Sequence, residues 1–299
     1  MTEREAWLAF STFIPMGPVR FNLLVEYYKT ALAAWKAPTT EFHKLGLSSN
    51  IIVKFEAHRR NFDVSAYAQE LERLKVNYVT LFDKEYPQNL KEIQGGPFVL
   101  YYKGNIEICN CLSIAVVGSR KITPYGREVA EKFSKELALL GVVIISGLAR
   151  GIDTVAHEST LSAGGKAVAV IGSGLNNIYP PENTNLAEEI IKKGGVLISE
   201  YPLGFPALPT NFTARNRIIS GLSHGVLIVE GAEKSGTLLT AKHAADQGRE
   251  VFAIPGQINS PNSWAPHFLV KQGAKITTCV ADITESLGIE AMIDPVFSK

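Results

Sequence analysis

From Ser113 onward the sequence alternates short apolar runs with stretches of helical spacing, and this rhythm restricts the fold more than any other feature. The runs are SIAVVG, GVVIIS, AVAVIG, GVLISE, GVLIVEG and VFAIPG. They are rich in β-branched residues and apolar at successive positions, so each predicted strand is buried on both faces. Helices are predicted between them at Gly126–Leu140, Ile152–Ala163, Asn185–Lys193, Thr213–Leu222 and Thr237–Gln247. Strands covered on both sides by intervening helices make a parallel sheet. The prediction is an α/β fold with a Rossmann-like, doubly wound, mostly parallel sheet.

The first eighty residues have a different rhythm. AWLAFSTF, VRFNLLVEYYKTALAAWKA, TEFHKLG, SNIIVKFEAHRR and VSAYAQELERLK all have helical spacing, with separators at Pro38, Gly46 and 61–63. A small all-helical domain is therefore expected over 1–80, a Rossmann-like domain over 81–290 and a tail over 291–299. Residues 81–105 form the join, with Gly95-Gly96-Pro97 as a turn and FVLYYKG as an extra strand. IPMGPVR, Ile14 to Arg20, reads either as a tight helix–helix turn or as a helix-hairpin-helix-like loop offering N–H groups to a phosphate.

With a net charge of +1, the chain has no overall field to draw in a polyanion, so any such site must be a local cluster. Cys109, Cys111 and Cys279 do not make a disulfide framework, and the Cys-x-Cys pair has no second pair for zinc; they read as reduced thiols. MTEREAW lacks a signal-peptide core, and no apolar run reaches the ~18 residues that span a bilayer. A soluble cytoplasmic protein without membrane, metal or cofactor is expected.

Ligands of open α/β sheets bind at the carboxyl ends of the strands, so the residues after each apolar run matter most. After SIAVV comes GSRKITPYG, with Gly118, Ser119 and Arg120 at a helix start. This is not GxGxxG, and no acidic residue ends the next strand where a ribose would need it, which argues against NAD. SGLARGID follows GVVII and supplies Ser146, Gly147, Arg150 and Gly151. GAEKSGTLLTAKHAA follows GVLIVE and supplies Lys234, Ser235, Gly236, Thr237 and Lys242. Ser, Gly and Thr at a helix start are also ordinary caps. Converging on one rim, these openings would make a polyanion pocket. In NFTARNRIISG, a helix opening at Thr213 puts Arg215, Asn216 and Arg217 near its first turn, where cations oppose the helix dipole unless an anion compensates. The other reading of either arginine is an internal brace to Asp153, Glu200 or Glu230.

VVGSRKITPYG, ISGLARGIDTVAHESTLSAGGKAVAVIGSGLNNIYPPEN and ISEYPLGFPALPTNFTARNRIISGLSHGVLIVEGAEKSGTLLTAKHAADQGREVFAIPG, in this order, closely resemble the DNA-processing protein A family (DprA, also called Smf) over about residues 80–288. The N-terminal module is similar to the sterile-alpha-motif-like domain of many members. The resemblance implies single-stranded DNA binding, protection of incoming strands in natural transformation, help in loading the RecA recombinase, and a homodimer formed through the Rossmann-like domain. Carried over by motif, it implies a DNA pocket of Gly118, Ser119 and Arg120, the Ser146–Asp153 loop, Arg215–Arg217, Lys234–Thr237 and Lys242. Phe212, Tyr125 and Tyr179 are the aromatics available for base stacking, and each also reads as an ordinary buried ring. Many members continue into a winged-helix domain; here only ADITESLG and a short tail are expected after the last strand. After the final PG the family has an Asn before Leu-Ile, whereas this chain reads QINSPNSWAPHFLVKQGA, with His267, Phe268 and Leu269 there.

Two alternatives stay open. Phosphoribohydrolases acting on nucleoside monophosphates resemble this architecture but carry PGGxGTxxE; here EKSGTLLT puts Thr240 at the glutamate position, and a hydroxyl cannot do a carboxylate's acid–base work. No nucleophile elbow is present, and His157, His224 and His243 are scattered, so no catalysis is expected. A mononucleotide sensor would need the same pocket.

Overall fold

A computed structural model describes residues 1–288; the expected tail at 291–299 lies outside the described residues. The helical region holds α1 (Glu3–Ser11), α2 (Gly17–Tyr28), α3 (Ala31–Lys36), α4 (Ser49–Asn61) and α5 (Val64–Arg73). The long segment expected at 19–37 is two helices. Lys29 takes a left-handed conformation (φ 71°), and Thr30 opens α3 by accepting from the Ala33 N–H at 3.0 Å. TEFHKLG forms a 3₁₀ turn rather than an α-helix. Half-buried Glu3 caps α3 as well, its oxygens accepting from the Ala31 and Leu32 N–H groups at 2.7 and 2.8 Å.

Then follow β1 (Asn77–Thr80), α6 (Gln88–Lys91), β2 (Val99–Gly104), β3 (Ser113–Val117), α7 (Pro124–Leu139), β4 (Val143–Ser146), α8 (Ile152–Ser162), β5 (Ala167–Val170), α9 (Thr184–Lys192) and β6 (Val196–Ser199). The chain ends its described part with α10 (Pro209–Leu222), β7 (Gly225–Ile228), α11 (Thr237–Asp246), β8 (Glu250–Ala253), α12 (Trp264–Lys271), β9 (Lys275–Ile276) and α13 (Ala281–Ser286). One sheet of nine strands runs β1-β2-β6-β5-β4-β3-β7-β8-β9. β1 and β2 are antiparallel to their neighbours, and the other pairs are parallel. The expected FVLYYKG strand is β2. β1, β9, α6, α12 and α13 were not legible, because each is at most eight residues long and none carries the continuous β-branched apolar run that marks β3 to β8.

Burial on both faces follows the two-residue period of a strand. Ile114 and Val116 of β3 pack in a cluster with Phe133 of α7 and Val155 of α8, while Ala115 and Val117 pack with Ile218 and Ile219 of α10 and Ala244 of α11. Ile144 and Ala167 are in register, so the clusters containing them share one face of the sheet. The helical region belongs to that face: Trp7, Phe10 and Phe21 lie in the cluster that also holds Phe98, Tyr101, Ala167 and Leu197. Phe21 stacks on Phe98 at 3.9 Å between centroids, and Ser11 and Tyr101 share a hydrogen bond of 2.6 Å between buried hydroxyls. Helices and sheet edge thus close a common core. β3 leads toward β4 on one side and has β7 on the other, so the order of the sheet switches between β3 and β7. A switch of this kind separates the loops on either side and opens a crevice beyond the strand ends.

Candidate nucleic-acid interface

A cleft of about 610 Å³ occupies that crevice. The loop after β3, the loop after β7 and the first half of α10 line it, with Ser119, Arg120, Asn216, Lys234, Ser235 and Thr237 among the polar residues. The glycines explain how the loops come so close. A Cβ on Gly118 would sit 2.5 Å from Ile152 Cγ1, and one on Gly151 (φ 80°) would sit 2.2 Å from the Ser119 carbonyl oxygen. Ile152 donates its N–H to that same oxygen at 3.2 Å. Both glycines therefore let the β3 and β4 loops cross; any N–H they offer a ligand comes second to that packing.

The four arginines expected in the pocket have different roles. Arg120 is exposed, its guanidinium lies 5.3 Å from the centre of the Phe212 ring, and no carboxylate pairs with it among the described residues. Arg150 is also exposed but pairs with Glu182, and it lies 5.8 Å from the Tyr179 ring. Arg215 is buried, with 3% of its surface exposed, and donates to the carbonyls of Gly147 and Val170 at the cleft floor. Burial lowers its pKa to about 10, a shift that the neighbouring Asp153 carboxylate opposes. Burial also raises the Asp153 pKa, against Arg215 and the N–H groups of Gly147 and Ala149, which the carboxylate accepts at 3.1 and 3.3 Å. Arg217 makes a two-pronged contact with Glu200 at 2.6 and 3.2 Å. Arg217 is thus the internal brace of the alternative reading, whereas Arg215 braces the cleft floor through backbone carbonyls rather than through a carboxylate pair.

The reason is the start of α10. It opens at Pro209, four residues before the expected Thr213, so Arg215 falls in the second turn and points inward. The opposition of both arginines to the helix dipole at a first turn does not arise. Ser146 is fully buried and donates to the Val116 carbonyl at 2.7 Å, bracing β4 to β3. Gly147 backs onto the Arg215 guanidinium, which a Cβ there would meet at 2.3 Å. Asn216 bridges α10 to the next loop, accepting from Arg215 Nε at 3.2 Å and donating to the Gly236 carbonyl at 3.4 Å. Ser235 Oγ accepts from the Thr237 N–H at 3.2 Å and orders the turn into α11. Lys242 faces away from the cleft, in a hollow with Leu238, Leu239, Phe268 and Leu269.

Two lining residues were missed. Lys121 follows Arg120 and enters the cleft beside it, a neighbour the GSRK string already displayed. Asn262 arrives from the divergent segment after β8: its Nδ2 donates to the Lys121 carbonyl at 2.9 Å and its own carbonyl accepts from the Gly231 N–H at 2.7 Å. No local signal points to it, because the contact joins residues 141 positions apart. Tyr125 instead donates to the Pro255 carbonyl at 2.6 Å, outside the cleft. Phe212 and Tyr179 pair at 5.4 Å, so guanidiniums and rings follow one another in the order Arg120, Phe212, Tyr179, Arg150.

The sequence profile of the DNA recombination-mediator protein A family matches residues 77–288. The chain belongs to this family. Among its relatives, Protein Smf of Escherichia coli K12 is 48% identical over 202 residues, which are 68% of this chain and 54% of that protein. The chain thus spans about half the length of that relative. DNA processing protein DprA of Bacillus subtilis is 43% identical over 71% of each chain. The crystal structure of the Streptococcus pneumoniae DNA processing protein A superposes with a TM-score of 0.78 at 33% identity, covering 98% of this chain and 99% of that one. That of Helicobacter pylori, which binds single-stranded DNA, gives 0.64 at 29% identity over 72% of this chain and 97% of its own. The likeness to the Streptococcus pneumoniae structure therefore extends over the helical region, which the family profile leaves out.

Proposed function

We propose that the chain binds single-stranded DNA along the cleft and acts as a recombination mediator in DNA uptake, protecting incoming strands and helping to load the RecA recombinase. The observation that carries this reading is the row Arg120, Phe212, Tyr179, Arg150, in which two guanidiniums that suit phosphates flank two rings that suit bases. Lys121 and Lys234 add two further exposed cations at the same cleft, without carboxylate partners among the described residues. Arg120, Lys121 and Lys234 would neutralise phosphates, Ser119, Ser235 and Gly236 would donate hydrogen bonds, and base identity would hardly be read. Arg215, Asn216, Arg217, Ser146, Gly147 and Gly151 would shape the cleft from below. Similarity to the Helicobacter pylori protein supports the ligand.

A hydrolytic role has less support. Asp153 is the carboxylate at the cleft, and it is buried and engaged by Arg215 and two backbone N–H groups. Thr240 stands at the position of the hydrolase glutamate. We further propose a homodimer through the face of α11 and α12, where Leu239, Trp264 and Phe268 are each about two-fifths exposed on one side of the sheet. Lys242 would then sit at the subunit boundary. The test is a fluorescence-anisotropy titration with a labelled mononucleotide, a ~6-mer and a ~35-mer at two salt concentrations. Affinity that grows with length and falls with salt is expected. Tight mononucleotide binding with no gain from length would overturn the reading in favour of a nucleotide pocket.

A further inference from the structure

The helical region reaches toward the cleft through one hydrogen bond. Tyr67, on α5, accepts the Leu203 N–H on its phenolic oxygen at 2.9 Å, across 136 residues of chain. Its ring packs against Phe62 at 5.5 Å, and burial among the aromatic core residues holds it there and raises its pKa. Leu203 lies in the segment 200–208, EYPLGFPAL, which joins β6 to α10 without regular structure.

Contacts from this segment run to both rings of the cleft. Gly204 donates its N–H to Asn176 Oδ1 at 2.8 Å, and the Phe205 carbonyl accepts from the Gly174 N–H at 3.0 Å. Both partners lie in the loop that ends at Tyr179. The Pro206 carbonyl accepts from Asn211 Nδ2 at 3.0 Å, and Asn211 precedes Phe212 on the first turn of α10. The Phe212 ring then lies against Gly172, where a Cβ would come within 3.0 Å of it. Pro206 and Pro209 fix φ at two positions between Leu203 and Phe212, which limits how much of a shift the backbone there absorbs.

We infer that the helical region braces the DNA cleft, with Tyr67 as a positioning residue that sets the Tyr179–Phe212 pair through Leu203. The inference rests on the single-stranded DNA reading of the cleft. Removing the Tyr67 hydroxyl leaves the ring packing in place and frees the Leu203 N–H, so the segment loosens and the two rings lose their common register. No cation moves, so the affinity falls without a change in salt dependence.

The experiment uses the full chain, Tyr67→Phe, and the matched hydroxyl deletion Tyr28→Phe, which cuts the Tyr28–Glu41 bond elsewhere in the helical region. Amide exchange is expected to quicken at 200–208, 172–179 and 209–213 in Tyr67→Phe only. Affinity for a labelled ~6-mer of single-stranded DNA should fall roughly 3- to 10-fold, the worth of about one hydrogen bond. In a Phe212→Ala background Tyr67→Phe should have no further effect, because the two act through one contact. Unchanged exchange at 172–179 and 209–213, or an effect that adds to that of Phe212→Ala, overturns the brace. Wild-type protein that binds no strand overturns the DNA reading instead, and a persisting exchange difference would tell that failure from the first.

Discussion

Replacing Arg120 by alanine tests the cleft most directly. Arg120 is exposed, lacks a carboxylate partner among the described residues and lies over Phe212 rather than in the core, so its removal should leave the fold intact. If Arg120, Lys121 and Lys234 each neutralise one phosphate, the wild-type slope of log affinity against log salt is about −2, at about −0.7 per phosphate for single strands. Raising salt from 50 to 200 mM should then weaken the wild type about 20-fold and Arg120→Ala, with a slope of about −1.4, about 7-fold. At fixed low salt the variant should bind roughly 5- to 30-fold more weakly, since it loses a phosphate contact and the cation that orders the Phe212 ring. Arg120→Lys separates the two losses: it should restore the slope but only part of the affinity, because an ammonium lacks the planar face that stacks on Phe212. Anisotropy titrations of a ~35-mer at four salt concentrations measure all of this. A slope of about −2 in Arg120→Ala, with affinity unchanged, would refute the assignment of Arg120 to the strand.

Arg215→Ala should behave in the opposite way, losing about 2–5 kcal/mol of stability in urea unfolding because it leaves the Gly147 and Val170 carbonyls without their buried donor and removes the charge that favours the Asp153 carboxylate; a variant of wild-type stability with a flattened salt slope would contradict the bracing role. His157 is fully buried, and burial followed by the Arg215 charge lowers its pKa to about 3 from an ordinary 6.5. The unfolded chain therefore takes up a proton below pH 6.5 that the folded chain refuses. Stability is whole above that pH and falls by about 1.4 kcal/mol for each unit of acidification down toward pH 3; His157→Phe should flatten this limb in pH-dependent denaturation. Phe268→Glu, on the exposed face of α12, should halve the mass seen by sedimentation if that face joins two copies, and unchanged mass would place the interface elsewhere.

The architecture was legible because its central strands, β3 to β7, are short, fully buried and unlike their surroundings. The residues of β3 to β8 read as apolar runs whichever way the helices cover them, and a parallel sheet is the arrangement that hides both faces. That strand-end loops would converge on one rim was also within reach, since ligands of such sheets bind at the carboxyl ends of the strands; that the crevice opens between β3 and β7 follows from the strand order, which the structure supplies. The division of labour among the arginines was not. Arg120, Arg150, Arg215 and Arg217 are four identical side chains at strand ends or helix starts, and a start four residues earlier for α10 turned Arg215 from cleft wall to cleft floor.

The sequence by itself therefore determined the layers and the collection of cations and glycines at the strand ends, because hydrophobic periodicity and loop chemistry are local properties. Only the tertiary structure decided which cations remain free. Glu200 reaches Arg217 across 17 residues, Asp153 lies beside Arg215, and Asn262 meets Lys121 across 141. A charge is free or paired according to what the fold brings within a few ångströms, and that distance is set by packing rather than by position along the chain.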